Sequence, residues 1–250
     1  MSRRRRWSLV ACALALVVLT TGAALHLTGW SSVVRGAILG KKTVADRIAE
    51  FGPTARARLA PHFASAGVWY PPARLMLVGF KSEKRLDVYA TGADGAARFI
   101  RSYPILAASG RTGPKLKRGD RQVPEGIYAI ESLNPNSRFH LALRVGYPNA
   151  FDREMAARDG RTDLGSDIMI HGKSASIGCL AMGDEAAEEL FILAAETGIE
   201  NIKVILAPID LRASPPSHHS NLPDWTTRLY EQIVSELSRL PVPPPQAQAR

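Results

Sequence analysis

The middle of the chain is a series of short apolar segments with the period of β-strands, separated by turn residues. From Leu75 onward the segments read LMLVGF, RLDVYAT, RFIRSYPILA, GIYAIES, RFHLALRVGY, DIMIH and NIKVIL. In RFHLALRVGY, every second residue from Phe139 to Val145 is apolar, which predicts a strand that buries one face. The pattern predicts about seven strands.

One segment between the last two strands has the pattern of a helix instead. DEAAEELFILAAETG starts with acidic residues, with Asp184 as the predicted N-cap, and ends at Gly198. The chain lacks the regular strand–helix alternation of a Rossmann-type fold. The sequence therefore predicts an α+β class, in which a mainly β domain contains one embedded helix.

The regions on either side of the sheet domain have a different character. TVADRIAEFG predicts a helix that ends at Gly52, and a second short helix is expected to break at Pro61. DWTTRLYEQIVSELSRL predicts a C-terminal amphipathic helix. We divide the chain into a targeting segment (1–30), a helical spacer (31–72), the sheet domain (73–210), a loop with a C-terminal helix (211–240) and a Pro-rich disordered tail (241–250).

The N-terminus has the composition of a membrane-targeting segment. Arg3 to Arg6 precede an apolar run from Trp7 to about Leu27. This pattern predicts either a cleaved secretory signal or an uncleaved signal-anchor that contacts the membrane. In both cases the arginines favour export of the rest of the chain. The expected location is the periplasmic face of the inner membrane, anchored or released.

Charge and ligand spacing exclude several other functions. The net charge is +9, but four of the positive charges belong to Arg3–Arg6. No basic stripe with interleaved aromatic residues is present, so nucleic acid is not an expected partner. No His, Asp or Glu cluster has the spacing of metal ligands, so no metal or other cofactor is expected.

The segment IHGKSASIGC contains a cysteine, Cys179, that has no partner cysteine in the same predicted domain. Cys12 lies in the targeting segment, which leaves Cys179 alone in a domain expected to be exported. Exported domains usually pair their cysteines or lack them. Cys179 is therefore either a buried apolar filler or a nucleophile.

His171 lies eight residues before Cys179, at the end of a predicted strand. Gly172 and Gly178 bracket the intervening segment, and Ser176 lies within it, so a tight return of the chain brings imidazole and thiol together. An adjacent imidazole ionises a thiol, and we expect Cys179 to be substantially ionised near neutral pH. The amides of Gly178 and Cys179 are candidate donors to an oxyanion.

Three stretches resemble a known enzyme family. HGKSASIGCLAM, SGRTGPKLKRGDRQVPEGIY and NPNSRFHLALRVGYPNAFDR are similar to the YkuD-type L,D-transpeptidases, most of all to the YafK-like branch. The resemblance covers roughly Leu75 to Leu206. It implies that Cys179 is the nucleophile and His171 the general base, and that Ser176 and Gly178 complete the motif. It also implies a role in cell-wall biogenesis and cell shape.

The chain departs from the pattern of this family at two positions. Most members have a second histidine two residues before the cysteine, where this chain has Ile177. Ala181 replaces a common polar residue two positions after the cysteine. The gap between His171 and Cys179 is also shorter than usual. These departures imply that His171 acts alone as base and that the acyl-acceptor side of the site is altered.

The stretch from Gly110 to Gly126 is rich in basic residues. Its glycines do not have the spacing of a phosphate-binding loop, which excludes nucleotide binding. Stem peptides of peptidoglycan carry several carboxylates, which basic side chains attract. The substrate-binding candidates are Arg111, Lys115, Arg121 and Tyr147, with Lys117 and Arg118 also available.

Three functions remain open at this stage. The first is cysteine-dependent acyl transfer on peptidoglycan stem peptides, which cross-links the wall or attaches a wall protein. The second is a peptidoglycan hydrolase, an L,D-carboxypeptidase or amidase, with the same residues and water as acceptor. The third is a non-enzymatic module that binds the wall. The expected partners are stem peptides and a wall-attached protein, and the sequence makes no prediction about oligomeric state.

Overall fold

The computed structural model describes residues 40–213 and 221–244. The predicted targeting segment (1–30) and the last part of the Pro-rich tail lie outside these residues. Within the described ranges, no helix combines the length and the apolar character that crossing a bilayer requires. From Thr43 onward the described residues form one compact unit.

In the part of the chain that the structure describes, nine strands form one sheet, in the order β3-β2-β1-β9-β5-β6-β7-β8-β4. Strands β1 and β9 pair in parallel, as do β7 and β8, and the other neighbours are antiparallel. The strands are β1 (Leu75–Phe80), β2 (Arg85–Thr91), β3 (Ala97–Pro104), β4 (Ala107–Ala108), β5 (Gly126–Ser137), β6 (His140–Val145), β7 (Met169–His171), β8 (Leu180–Ala181) and β9 (Ile202–Ala207). The mainly β domain is confirmed. Seven predicted strands became nine because β4 and β8 are too short to show a period.

Among the described residues, four α-helices accompany the sheet: α1 (Val44–Ala66), α2 (Ala150–Arg158), α3 (Asp184–Thr197) and α4 (Thr226–Leu237). The embedded helix α3 and the C-terminal helix α4 are confirmed. Helix α3 begins after Gly183 as its N-cap, so the prediction of Asp184 as N-cap is wrong by one residue. The sequence analysis did not predict α2, although Asn149 and Asp152 form a capping box at its start.

Helix α1 is one continuous helix rather than two short ones. It runs through Gly52 and Pro61, and its buried residues include Leu59 and Phe63. A proline inside a helix costs about 3 kcal/mol or more. Burial of apolar side chains against the main core offsets this cost. The predicted spacer therefore contains a helix that packs on the sheet domain.

The sheet separates two apolar clusters. In β1, Leu75 and Leu77 belong to the cluster that contains residues of α1 and α3, whereas Val78 and Phe80 belong to the cluster that contains residues of α4. This alternation is the period of two along a strand. The central strands are thus covered by helices on both faces.

The predicted orientation of β6 needs one correction. Phe139 was expected to be buried, but 43% of it is exposed, and Ala142 is 1% exposed rather than solvent-facing. Phe139 lies in the turn before β6, outside the strand. Ala142 pairs with His171 of β7, and both residues are buried, so this face of the sheet is also covered here.

A buried carboxylate joins α1, β3 and α3. Glu189 on α3 is fully buried and accepts hydrogen bonds from Arg58 (2.6 Å), Arg101 (2.7 Å) and the Tyr103 hydroxyl (2.5 Å). Three donors on two other elements thus share one acceptor. The cluster holds α1 against the sheet and is the basis of a stability prediction in the Discussion.

Candidate active site

The parallel pairing of β7 and β8 positions the two residues of the predicted dyad. His171 pairs with Ala181, and Cys179 lies two residues before Ala181 in the same direction. Residues two apart in a strand share a face, and the strand spacings put the two Cα atoms roughly 8 Å apart. Ile170 and Leu180, which alternate with them, face the apolar core. The dyad residues therefore lie on the opposite face of the sheet from that core.

The imidazole of His171 is buried and held in one orientation. Its Nδ1 lies 2.6 Å from the carbonyl oxygen of Gly172. Because a carbonyl only accepts, Nδ1 carries the proton and Nε2 is the unprotonated nitrogen. The Phe139 ring covers the imidazole at 4.7 Å between centroids, with 34° between the planes. The ring is thus prepared to accept a proton on Nε2.

The thiol of Cys179 is half-buried and lies near backbone carbonyls. Its Sγ is 3.6 Å from the carbonyl oxygen of Asp167. Among the hydrogen bonds of the described residues, none joins Sγ to His171. The imidazole and the thiol thus share a face without being bonded to each other.

Burial shifts the pKa values of the two dyad groups in directions that disfavour a thiolate–imidazolium ion pair. It raises the pKa of the Cys179 thiol above its usual value, against a smaller opposite effect of a backbone hydrogen bond from Met169. Burial also lowers the pKa of His171, while its bond to Gly172 acts in the other direction. Burial thus favours the neutral form of both groups, in the direction opposite to the predicted ionised thiol.

The two amides predicted to hold an oxyanion both have acceptors. The Cys179 N–H donates to Ser176 Oγ at 2.9 Å, and the Ser176 hydroxyl donates to the Cys179 carbonyl at 2.5 Å. The Gly178 N–H donates to Ser109 Oγ at 2.5 Å. Neither amide is thus open to a substrate oxygen, which corrects that prediction. Ser176 instead fixes the backbone of the nucleophile.

Both predicted motif glycines have conformational or steric reasons to be glycine. Gly178 has φ of 91°, in the left-handed region that side chains disfavour. At Gly172, a Cβ would lie 2.8 Å from the Phe139 carbonyl oxygen and 2.9 Å from His140 Cβ. The absence of a side chain there lets the His171–Gly172 segment approach the β5–β6 turn.

We expect Gly172→Ala to lower the free energy of unfolding by about 1–3 kcal/mol, since the new methyl group must displace backbone. The displacement also moves the carbonyl that orients His171, so acylation of Cys179 should slow as well. Thermal unfolding and an ester acylation assay measure both effects. Gly146→Ala is the matched control, because its Cβ would meet Ala129 atoms only at 3.4 Å or more. Equal stability of the two variants would contradict the prediction.

The basic loop from Ser109 to Gly126 is anchored from inside the protein. Lys81 Nζ donates to Glu125 Oε1 at 2.9 Å and to the carbonyls of Gly113 and Val123. Glu125 also accepts from the Gly113 N–H at 2.7 Å and from the Tyr230 hydroxyl at 2.8 Å. This buried ion pair connects the loop to β1 and α4, so the loop has a fixed path beside the dyad.

Two of the predicted substrate-binding residues are part of this support. Lys115 is buried, and its Nζ donates to Asp120 Oδ1 and to the Lys117 carbonyl at 2.9 Å. Tyr147 is also buried, with its hydroxyl 3.2 Å from the Leu164 carbonyl. Both polar groups are thus used inside the protein, so their geometry does not favour the predicted direct contact with substrate.

The other basic candidates divide into paired and unpaired cations. Arg118 forms an ion pair with Asp163 at 2.9 Å. Arg111, Lys117 and Arg121 are exposed, and none of them forms an ion pair within the described part of the chain. These three side chains are the cations of the loop that remain open to a ligand.

The two residues that depart from the family pattern differ in their exposure. Ile177, in the position of a second histidine, has 76% of its surface exposed. Ala181 is fully buried and pairs with His171. An exposed apolar side chain thus lies two residues from the thiol. Within the described residues, no group of three or more His, Cys, Asp or Glu side chains is arranged to hold a metal ion.

Sequence reasoning missed two residues of the site. Ser109 is the first residue of a stretch that resembles the family, but the resemblance assigns it no role. Phe139 was expected to be buried in a strand, yet it stacks on His171 from a turn. Ser109 bonds to Gly178 across 69 positions of sequence, and no local pattern reports such a contact.

Comparisons with known proteins agree with the family resemblance found in the sequence. The family model of the YkuD L,D-transpeptidase catalytic domain matches residues 77–205. Two Escherichia coli proteins, of strain K12 and of O157:H7, both named "Putative L,D-transpeptidase YafK", are 34% identical over 157 residues, which is 60% of this chain and 61% of theirs. The chain thus spans about three fifths of the length of these curated relatives.

Three solved structures are similar over part of the chain. The helical cell shape determining protein Pgp2 of Campylobacter jejuni is 23% identical, covers 53% of this chain and 47% of its own, and has a TM-score of 0.44. Bd1075 of Bdellovibrio bacteriovorus is 20% identical, with coverage of 66% and 56% and a TM-score of 0.39. L,D-transpeptidase 1 of Mycobacterium tuberculosis is 18% identical, with coverage of 54% and 62% and a TM-score of 0.32.

Proposed function

The chain belongs to the family of YkuD-type L,D-transpeptidase catalytic domains, and we propose that it transfers acyl groups on peptidoglycan stem peptides through a thioester on Cys179. The observation that carries this proposal is the orientation of His171. Its Nδ1 is held by the Gly172 carbonyl, and it shares a sheet face with the only cysteine among the described residues. An oriented base beside a thiol supports nucleophilic catalysis.

The proposed reaction begins from the neutral pair. His171 Nε2 takes the thiol proton as Sγ bonds to the carbonyl carbon of a stem peptide. The tetrahedral intermediate collapses, the C–N bond to the departing residue breaks, and the His171 imidazolium returns the proton to the leaving amine. An amine of a second stem peptide, or of a wall-attached protein, then attacks the thioester and regenerates the thiol.

The charge of the loop supports a substrate that carries carboxylates. Arg111, Lys117 and Arg121 are exposed cations on a loop whose first residue bonds to Gly178. Fixed positive charges beside a cleft attract anionic ligands. Peptidoglycan stem peptides have the matching chemistry. We propose that these three residues, rather than Lys115 and Tyr147, contact the substrate.

The exposed Ile177 favours a second candidate function. An apolar side chain beside the thiol offers no polar group to an incoming amine. In that case water ends the thioester, and the protein is a peptidoglycan hydrolase with the same dyad. The two candidates share every step up to the acyl-enzyme and differ only in the acceptor.

Incubation with purified muropeptides, followed by mass spectrometry, tests both candidates. New cross-linked dimers or exchanged terminal residues are expected for the transferase, and released amino acid without new dimers for the hydrolase. Cys179→Ala is the matched control and should change no muropeptide. An unchanged muropeptide profile with the native protein would contradict both functions and leave a wall-binding module as the explanation.

The proposed substrate requires the protein to reach the cell wall. We therefore propose that the domain acts outside the cytoplasm, at the periplasmic face of the inner membrane. It is either anchored there by its N-terminal segment or released after that segment is cleaved. That segment lies outside the described residues, and its Arg3–Arg6 cluster before an apolar run is what supports the proposal.

A further inference from the structure

Ser109 lies beside the nucleophile although 70 positions separate them in the sequence. Strand β4 pairs with β8 in an antiparallel register of Ala107 with Ala181 and Ala108 with Leu180. Continued by one residue, this register puts Ser109 opposite Cys179. Directly opposed residues of antiparallel strands point to the same face of a sheet. Ser109 directly follows β4 and Cys179 directly precedes β8, so the continued register brings both residues to the sheet face that carries His171 on β7.

The hydroxyl of Ser109 is bonded on one side only. Its Oγ accepts the Gly178 N–H at 2.5 Å. A serine hydroxyl also has a proton to donate, and the hydrogen bonds among the described residues include no acceptor for it. Ser176 differs, because its proton is donated to the Cys179 carbonyl at 2.5 Å. Ser109 thus presents a free donor next to the thiol, and the backbone amide of Gly178 polarises it.

We propose that the Ser109 hydroxyl donates a hydrogen bond to the oxyanion that forms when Cys179 attacks a carbonyl carbon. As the Sγ–C bond forms, the carbonyl π electrons move to oxygen, and Ser109 Oγ–H stabilises that charge while Gly178 N–H stabilises Oγ. This inference rests on Cys179 being the acylated residue. It replaces direct donation by the amides of Gly178 and Cys179, which already have hydroxyl acceptors.

The Gly178 N–H and the Ser109 hydroxyl form a chain of two hydrogen-bond donors, which suits the stabilisation of an oxyanion. Each hydrogen bond in such a chain polarises the next, which strengthens the terminal donor. Loss of one donor to an oxyanion costs about 10² to 10³ in rate when the site is closed to water. Ser109 is only partly buried, and we expect a smaller loss of about 10- to 100-fold in acylation.

The test compares two reactions of the same thiol. p-Nitrophenyl acetate acylates Cys179 through a tetrahedral oxyanion: the ester C–O bond breaks, p-nitrophenolate leaves, and the thiol proton passes through His171 to solvent. Iodoacetamide alkylates the thiol by direct displacement of iodide and forms no oxyanion. Ser109→Ala should slow the p-nitrophenolate burst about 10- to 100-fold and leave the alkylation rate within about 2-fold. Cys179→Ala gives the background of each reagent.

Three further variants complete the design. Ser109→Thr keeps a hydroxyl and should retain most of the burst rate, whereas Ser109→Val has the same shape without it and should behave as Ser109→Ala. This pair keeps the inference testable if the alanine variant unfolds. Ser174→Ala changes an exposed serine of the segment between His171 and Cys179, and this matched control should behave as the native protein.

Three outcomes would overturn the inference. An unchanged or faster burst in Ser109→Ala would mean that Ser109 only blocks the Gly178 amide. An equal loss in acylation and alkylation would mean that Ser109 shapes the thiol rather than the oxyanion. No burst in the native protein, despite alkylation of Cys179, would instead contradict the proposed function, and this inference would fail with it.

Discussion

Replacing His171 with asparagine is expected to slow acylation of Cys179 about 10²- to 10⁴-fold, the usual contribution of a general base. Asparagine keeps an N–H donor for the Gly172 carbonyl but has no basic nitrogen. The loss should therefore report the missing proton acceptor at Nε2 rather than a lost contact. The burst of p-nitrophenolate from p-nitrophenyl acetate measures it, with thermal unfolding as the check on folding.

The pH dependence of acylation should distinguish two mechanisms. In one, His171 removes the thiol proton during the attack, and in the other a thiolate–imidazolium pair exists before the attack. A lowered pKa keeps His171 neutral, and able to accept a proton, from below its ordinary pKa of about 6.5 upward. A raised pKa keeps Cys179 protonated until above the ordinary thiol value of about 8.5. Acylation should thus be nearly flat between about pH 6.5 and 8.5, while alkylation by iodoacetamide rises about tenfold per unit because it needs thiolate.

Two controls sharpen this test. His62 on α1 is a half-buried histidine whose pKa is also lowered by burial. His62→Ala therefore removes a similar imidazole outside the site, and acylation should be unchanged. An alkylation midpoint below neutral pH that moves upward in His171→Asn would show a resting thiolate–imidazolium pair, contrary to this prediction. Equal acylation by native protein and His171→Asn would remove His171 from the mechanism.

Glu189→Ala should lower the free energy of unfolding by about 3–5 kcal/mol, as expected when one partner of a buried ion pair is removed. Arg58, Arg101 and the Tyr103 hydroxyl would lose their common acceptor. The Tyr103 hydroxyl makes no other hydrogen bond among the described residues, so this buried group would be left unsatisfied. Urea denaturation measures the change.

Glu185 provides the matched control for Glu189. It lies on the same helix and is 4.0 Å from Arg58, but 72% of its side chain is exposed. Glu185→Ala should change the free energy of unfolding by no more than about 0.5 kcal/mol, as is usual at exposed positions. A loss of less than about 1 kcal/mol in Glu189→Ala would mean that apolar packing alone holds α1 on the sheet.

Local patterns in the sequence were enough for most of the secondary structure. Each of the seven predicted segments overlaps a strand, and α3 ends at Gly198 as predicted. Side-chain period and helix caps depend on residues only a few positions apart, so they can be read without a structure. The same reading failed for α1, because long-range burial of Leu59 and Phe63 overrides the effect of Pro61.

The sequence by itself determined the family and the sheet domain, and it predicted the dyad of His171 and Cys179, since each rests on adjacent residues or a short spacing. Only the tertiary structure decided the electrostatic state of the site: which cations remain exposed, which amides already have acceptors, and that the thiol and imidazole favour their neutral forms. Burial sets these properties, together with contacts such as that between Ser109 and Gly178, 69 positions apart. A short segment of sequence contains no information about burial or about long-range contacts. The free energy of a charge or of a hydrogen-bond donor depends on the groups that the folded chain places around it.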